Sequence, residues 1–145
     1  MKIKLLREGA QIPTRGSNAA AGYDLYAAID GPVTIQPQTM QKIGSGVAIA
    51  ISQPNYFGAI FARSGMATKR GLRPANAVGV IDADYRGEVI VPLYNDSDEP
   101  QTIYPGDRVA QLVFMPFTTV REFEVVDDLD TTDRGAGGFG STGSH

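Results

Sequence analysis

The chain never keeps an apolar period of 3.6 residues for more than a turn or two, which argues against a helical bundle or a helix-layered sheet. What recurs is the short run. Lys2–Leu6, Val33–Ile35, Thr39–Ile43, Val47–Ile51, Phe57–Ala62, Glu88–Tyr94 and Val109–Phe117 are alternating, β-branched or apolar, and turn residues separate them. The 17 glycines and 9 prolines supply much of that punctuation. Phe123 and Val125 alternate with Glu122 and Glu124, the pattern of a further strand with one wet face. Pro92 and Pro116 fall inside two of the runs, and because proline cannot donate to a ladder those strands are expected at edges, bulges or ends. The best helix candidate is the short segment Gly65–Arg70. The expectation is an all-β domain, a sandwich or jelly roll, over residues 1–130. From Thr131 the composition turns to Gly, Ser and Thr, so 131–145 reads as an arm that is mobile until something holds it.

Composition then removes whole classes of chemistry. There is no cysteine, hence no disulfide, no thiolate nucleophile and no Cys-based zinc site. The only histidine is His145, which excludes a Ser-His-Asp triad, an H-E-x-x-H metalloprotease and a His-ligated deaminase. Hydrolysis would have to rest on carboxylates with a hard, oxygen-bound metal. A net charge of −3 argues against binding nucleic-acid polymers, though not against a small anion at a local arginine cluster. No apolar run approaches a membrane span, and Met1–Leu6 interleaves lysines with apolar residues, so no membrane association and a cytoplasmic location are expected.

Five stretches carry candidate chemistry. In AAGYDLYA, Asp24 follows a glycine at the start of a strand, either as a turn Asp bonding its own backbone or as a metal-facing carboxylate. In ARSGMATKRG an apolar strand runs into Arg63-Ser64-Gly65 at a helix start. That is either a Ser N-cap with a solvated Arg, or an anion site built from backbone N–H groups and a guanidinium fork. Lys69 and Arg70 read as surface charges. In NAVGVIDADYRGEV, Asp82 and Asp84 flank Ala83 and would share a face in extended chain, with Tyr85 and Arg86 following; the alternative is an Asp-rich type I turn. In PGDRVAQLVF, Gln111 interrupts an apolar run and needs a partner if buried. The last is RGAGGFGSTG, where Arg134 and Phe139 are the side chains that a merely disordered end would not need.

In this order and spacing the stretches resemble the motifs of the trimeric deoxyuridine triphosphatases, the dUTPase family, over essentially the whole chain. The resemblance implies a jelly-roll-like β-barrel or sandwich assembled as a homotrimer, each active site drawing on more than one subunit. It implies Mg²⁺-assisted hydrolysis of dUTP to dUMP and pyrophosphate, which keeps dUTP low and supplies dUMP for thymidylate synthesis. Asp82 matches the water-activating carboxylate, and Tyr85 the ring packed on deoxyribose where a 2′-hydroxyl would not fit. Asn76, Gly79 and Val80 belong to the hairpin that receives uracil. Arg63, Ser64, Gly65 and Gln111 match phosphate-binding positions. Asp24 matches an acid near the metal, acting through water, with Mg²⁺ held mainly by the substrate phosphates. Arg134, Phe139, Gly140, Ser141 and Thr142 match a tail that closes over the nucleotide. Met66 stands where a Leu-like residue is expected, a swap of little volume. Two rival readings are a dCTP-deaminating relative, whose Arg-Ser-Ser spacing and Glu base are absent here, and a nucleotide-sensing or partner-binding trimer.

Overall fold

A computed structural model of the chain describes residues 1–120 and 122–138. The elements run β1 (Lys2–Leu5), β2 (Thr14–Arg15), β3 (Tyr23–Tyr26), β4 (Val33–Ile35), β5 (Met40–Gly44), β6 (Val47–Ala50), β7 (Tyr56–Phe61), α1 (Ser64–Arg70), β8 (Leu72–Pro74), β9 (Gly79–Ile81), β10 (Ile90–Asn95), β11 (Gln101–Ile103) and β12 (Arg108–Pro116). All strand pairs are antiparallel. A five-stranded sheet has the order β2-β3-β12-β7-β9, a three-stranded sheet the order β5-β10-β8, and β1 with β6 and β4 with β11 form two-stranded ribbons. The expected all-β class, with one short helix, is what the chain adopts.

The alternation in the sequence becomes alternation in burial. Along β10, Val91, Leu93 and Asn95 are buried, while Ile90, Pro92 and Tyr94 between them are less so. One apolar cluster draws Leu25 from β3, Ile35 from β4, Ile43 from β5, Val47 from β6, Ile60 from β7, Leu93 from β10 and Leu112 from β12. Each such side chain stabilises the fold by about 1.5–3 kcal/mol when fully removed from water. Ser45 and Asn95 are buried polar residues, and the Asn95 amide is satisfied. Its nitrogen donates to the Ile35 carbonyl (3.0 Å) and the Glu99 carbonyl (2.8 Å), and its oxygen accepts from the Ser97 N–H (3.0 Å) and hydroxyl (2.7 Å). Gly71 ends α1 at φ 65°, and a Cβ there would stand 2.9 Å from the Ser97 nitrogen, so this αL cap takes glycine on both counts.

Two expectations need correction. Pro92 lies in the middle strand of its sheet, opposite Lys42 of β5, rather than at an edge. It is tolerated because the β8 register stops at Leu93, one residue short of it, and its carbonyl accepts from Ala75 just beyond the strand (2.7 Å). Pro116 does end its strand. Residues 122–126 form no strand. Phe123 and Val125 are 89% and 96% exposed: a short alternating run becomes a strand only when an edge pairs with it, and no ladder among the described residues includes this one.

Candidate active site

The central sheet builds a charged cradle at one end of β7. Asp24 on β3 lies opposite Gln111 on β12, and Gln111 lies opposite Phe61 on β7, so three neighbouring strands line up these positions. Two residues past Phe61, Arg63 reaches back and donates from Nε to Asp24 Oδ1 at 2.7 Å and from Nη1 to the Arg108 carbonyl at 3.1 Å. Arg108 donates from Nη1 to Asp24 Oδ2 at 3.2 Å. The β12 register slips between Arg108 and Ala110, and such a bulge re-aims the side chain beside it. Gln111 Nε2 donates to the Ala62 carbonyl at 2.9 Å. A Cβ on Gly22 would stand 2.5 Å from Gln111 Oε1, so the glycine before Tyr23-Asp24 is clearance for this amide. The cradle encloses about 400 Å³ and is also lined by Ser64 and Gly65. Two guanidiniums against one carboxylate leave a net positive site, suited to a polyanion.

The geometry decides several alternatives. Asp24 is not a turn residue bonding its own backbone; it is the hinge of an ion-pair pair. The N-cap of α1 is Arg63, without a side-chain cap bond, so Ser64 is the first helical residue and not the cap. Gln111 is satisfied by a neighbouring backbone carbonyl. Arg70 is not a free surface charge: its guanidinium donates to Gln101 Oε1 (3.1 Å) and to the Thr102 carbonyl (2.6 Å). Arg108 is the residue that sequence reasoning left out. Its signal was its place in the Gly-Asp-Arg-Val-Ala-Gln-Leu stretch, three residues before Gln111.

The segment 76–89 proves not to be a paired hairpin. β8 joins β10 in one sheet and β9 joins β7 in another, so the strands on either side of the 75–78 turn diverge. Between them opens a cleft of about 260 Å³, lined by Asn76, Gly79, Val80, Ile60, Lys42 and Pro92 among others. Ala77 holds φ 61°, unusual for a residue with a side chain, and sharpens the turn. At Gly79 a Cβ would come 3.1 Å from Ile60 Cβ, so glycine lets β9 close on β7.

Asp82 to Tyr85 is a turn closed by the Tyr85 N–H on the Asp82 carbonyl at 3.1 Å, so the two aspartates do not share the face of an extended strand. Arg86 ties the turn down through the Ala83 and Tyr85 carbonyls, both at 2.8 Å. The Asp82 carboxylate is exposed and has no hydrogen-bond or ion-pair partner among the described residues. Asp82 and Tyr85 border a hollow of about 230 Å³ that also touches Val80 and Ile81 of the cleft wall.

The Asp82 turn and the cradle do not meet in one chain. β9 runs antiparallel to β7 with Ile81 opposite Gly58, so Asp82 sits beside the first residues of β7, whereas Arg63 follows its last. Six residues of strand separate the two positions by about 20 Å. Arg134 donates from Nε to the Gly137 carbonyl at 3.0 Å and borders neither region. Phe139, Gly140, Ser141 and Thr142 lie outside the described residues. Among the described residues no group of three or more Asp, Glu, His or Cys could hold a cation. The one carboxylate in the cradle already has an arginine on each oxygen, so the residues present do not form a cage for a resident divalent ion.

Comparison with known proteins bears on all of this. The dUTPase family model matches residues 8–143. The chain is 46% identical over 145 residues to a deoxyuridine 5′-triphosphate nucleotidohydrolase of Desulfitobacterium hafniense, covering 99% of this chain and 95% of that one. It is 46% identical over 150 residues to the enzyme of the same name from Idiomarina loihiensis, covering 99% and 97%. Among solved structures, a mutant dUTPase of Staphylococcus bacteriophage 80alpha with dUpNHpp superposes with a TM-score of 0.88 at 29% identity, over 98% of this chain and 97% of that one. A mutant dUTPase from phage phi11 of S. aureus, described with a coordinated structural Mg(II) ion, gives a TM-score of 0.77 at 28% identity, over 90% and 98%.

Proposed function

The chain belongs to the dUTPase family, and from that premise we propose that it is a dUTP diphosphatase, releasing dUMP and pyrophosphate, with active sites shared between subunits of a homotrimer. The observation that carries the shared site is the division of labour along β7. The free Asp82 carboxylate stands about 20 Å along β7 from the cationic cradle, while the cleft runs between them. In this reading the Asp82 turn of one subunit faces the cradle of another. The bare alternation of Phe123 and Val125 supports the same reading, since a second copy would supply the face that a single chain lacks.

In this scheme uracil enters the cleft at Asn76, Gly79 and Val80, where backbone groups read its edge and a close wall at C5 refuses a methyl. Tyr85 packs on the deoxyribose. Arg63, Ser64, Gly65 and Gln111 receive phosphate oxygens, with Arg108 beside them. Asp82 takes a proton from a water as its oxygen attacks the α-phosphorus in line; the bond to the bridging oxygen breaks and pyrophosphate leaves. Mg²⁺, arriving with dUTP, would be held by the substrate phosphates and would offset their charge, and Asp24 would meet its hydration shell only through water. The arm from residue 131, through Arg134, Phe139, Gly140, Ser141 and Thr142, closes over the bound nucleotide and excludes bulk water. The dUMP formed would feed thymidylate synthesis in the cytoplasm. No helix among the described residues is long and apolar enough to cross a membrane.

The test is pyrophosphate release with Mg²⁺ from dUTP, UTP, dTTP and dCTP, with sedimentation of the same protein. Release from dUTP alone by a trimer is expected. Turnover of every nucleotide would discard the roles given to Tyr85 and the cleft. Turnover of dCTP would favour the deaminating relative, and tight dUTP binding without release would favour a sensor. Full activity in a monomer would end the shared-site reading.

A further inference from the structure

The Tyr85 ring does not hang free from its turn. Its hydroxyl donates to the Glu88 carbonyl at 3.0 Å. Its edge lies so near Gly87 that a Cβ there would stand 2.6 Å from Cζ and 3.0 Å from Cε2, and closer still to the hydroxyl. Gly87 is not in a left-handed conformation, so its need for glycine comes from the ring and not from φ.

The carbonyl that braces the ring is itself held. Glu88 Oε1 accepts the Gly46 N–H at 2.8 Å, and Oε2 is paired with Arg7, 81 residues away in sequence. Arg7 also donates from Nη1 to the Ala28 carbonyl at 3.1 Å. A Cβ on Gly44 would fall 2.6 Å from Glu88 Oε1 and 3.2 Å from Arg7 Nη1, so the neighbouring strand leaves room for this clasp. Next along the chain, Val89 is locked by its N–H on the Val47 carbonyl (2.8 Å) and by the Ser45 hydroxyl on its own carbonyl (2.5 Å). The loop that carries Tyr85 is thus tied to the β5–β6 turn and to the N-terminal segment. Arg7 lies outside every stretch that the sequence marks for chemistry.

We propose that the Arg7–Glu88 clasp, with Gly87 as clearance, is a positioning device for the Tyr85 ring, and through it sets the discrimination between deoxyribo- and ribonucleotides. The inference rests on Tyr85 being the sugar-facing ring. A ring can exclude one hydroxyl only if it is kept from turning aside about its two side-chain torsions. A hydrogen bond at its far end to a carbonyl that cannot drift does this, whereas contact at the ring face alone would not.

The experiment compares kcat and KM for dUTP and UTP in the wild type, Arg7→Gln, Gly87→Ala, Tyr85→Phe and Tyr85→Ala. Nitration of Tyr85 by tetranitromethane in the nucleotide-free protein, followed by peptide mass, reports on the ring directly. Arg7→Gln and Gly87→Ala are expected to lower the dUTP-over-UTP ratio of kcat/KM by about tenfold, part of the way to Tyr85→Ala, and to speed Tyr85 nitration. Tyr85→Phe, which keeps the ring and loses the brace, should fall with them in selectivity. Rejection of dTTP should not change, because the base is read elsewhere. If Gly87→Ala does not fold, Arg7→Gln and Tyr85→Phe carry the test. An unchanged ratio and nitration rate in the clasp variants, with the ratio collapsed in Tyr85→Ala, would refute the clasp and leave the sugar reading intact. An unchanged ratio in Tyr85→Ala would refute the sugar reading and the proposal with it.

Discussion

The two ends of β7 are built on opposite principles. Past Phe61, each carboxylate oxygen of Asp24 has an arginine, and the Gln111 nitrogen has a carbonyl. These groups sit on the inner strands of the five-stranded sheet. Beside the start of β7, the Asp82 carboxylate is exposed and unpartnered among the described residues, on a turn outside any ladder. The difference suits the two tasks proposed for them. Groups that hold a polyanion gain from being fixed in advance, since little ordering remains to be done on binding. A base must keep its lone pairs for water, so an ion pair at Asp82 would occupy the oxygens that the reaction needs.

The comparison breaks most visibly in a pair of isosteric changes. Asp82→Asn is expected to lower kcat by about 10²–10⁴-fold with the melting temperature unchanged, because nothing in the fold leans on that carboxylate. Asp24→Asn leaves two guanidiniums with a neutral partner; it is expected to lose about 1–3 kcal/mol of stability as well as raising KM for dUTP. Steady-state kinetics and thermal melting on both proteins check this. A melting temperature lowered by Asp82→Asn, or unmoved by Asp24→Asn, would show that the ends do not differ as described.

The same contrast explains what could be read from sequence. Strands such as Val33–Ile35 and the short helix were legible because their signal is local: alternation, β-branching and a glycine stop. Asp82, Tyr85 and Asp24 stand out as candidates only through the resemblance of their stretches. Contacts between distant segments were not legible. Arg108 meets Asp24 across 84 residues, beside a slip in the β12 register that no local pattern announces. The segment 76–89 reads as a hairpin about its polar centre, yet β9 pairs with β7 and β10, which follows the segment, with β5 and β8, since pairing depends on which edges lie free and not on the turn alone. Pro92 reads as an edge, bulge or end residue; it occupies a central strand, at the point where the neighbouring β8 ladder has ended. The alternation at 122–125 is a strand pattern that no ladder among the described residues takes up, because alternation alone does not supply a pairing edge. Arg70 reads as a surface charge because nothing local reveals the carbonyl that captures it.

Gly22 sharpens the comparison at the cradle. A Cβ there would meet Gln111 Oε1 at 2.5 Å and Gln111 Cβ at 3.2 Å, so the amide must swing off the Ala62 carbonyl. Gly22→Ala is expected to cost about 1–3 kcal/mol and to raise KM more than it lowers kcat. The equivalent change at Gly65, where a Cβ meets nothing within 4 Å, should leave stability close to wild type, which makes it the control. Equal melting temperatures for the two alanine variants would mean that Gln111 is not fixed in advance after all.

The smallest effect expected separates the two arginines. The Arg63 pair with Asp24 is short, and its side chain is 25% exposed; the Arg108 pair is longer, at 3.2 Å, and its side chain is 52% exposed. An exposed pair of that kind contributes about 0–1 kcal/mol, so Arg108→Lys should leave the melting temperature almost where it was. Lysine keeps the charge and loses the planar fork that can hold Asp24 and a phosphate oxygen together. The expected change is therefore a severalfold rise in KM for dUTP with kcat preserved, steeper at high salt, where a point charge is screened. A loss of stability as large as that of Asp24→Asn would place Arg108 among the supports of the fold, and the cradle would then hang on both arginines equally instead of on the Asp24–Arg63 pair.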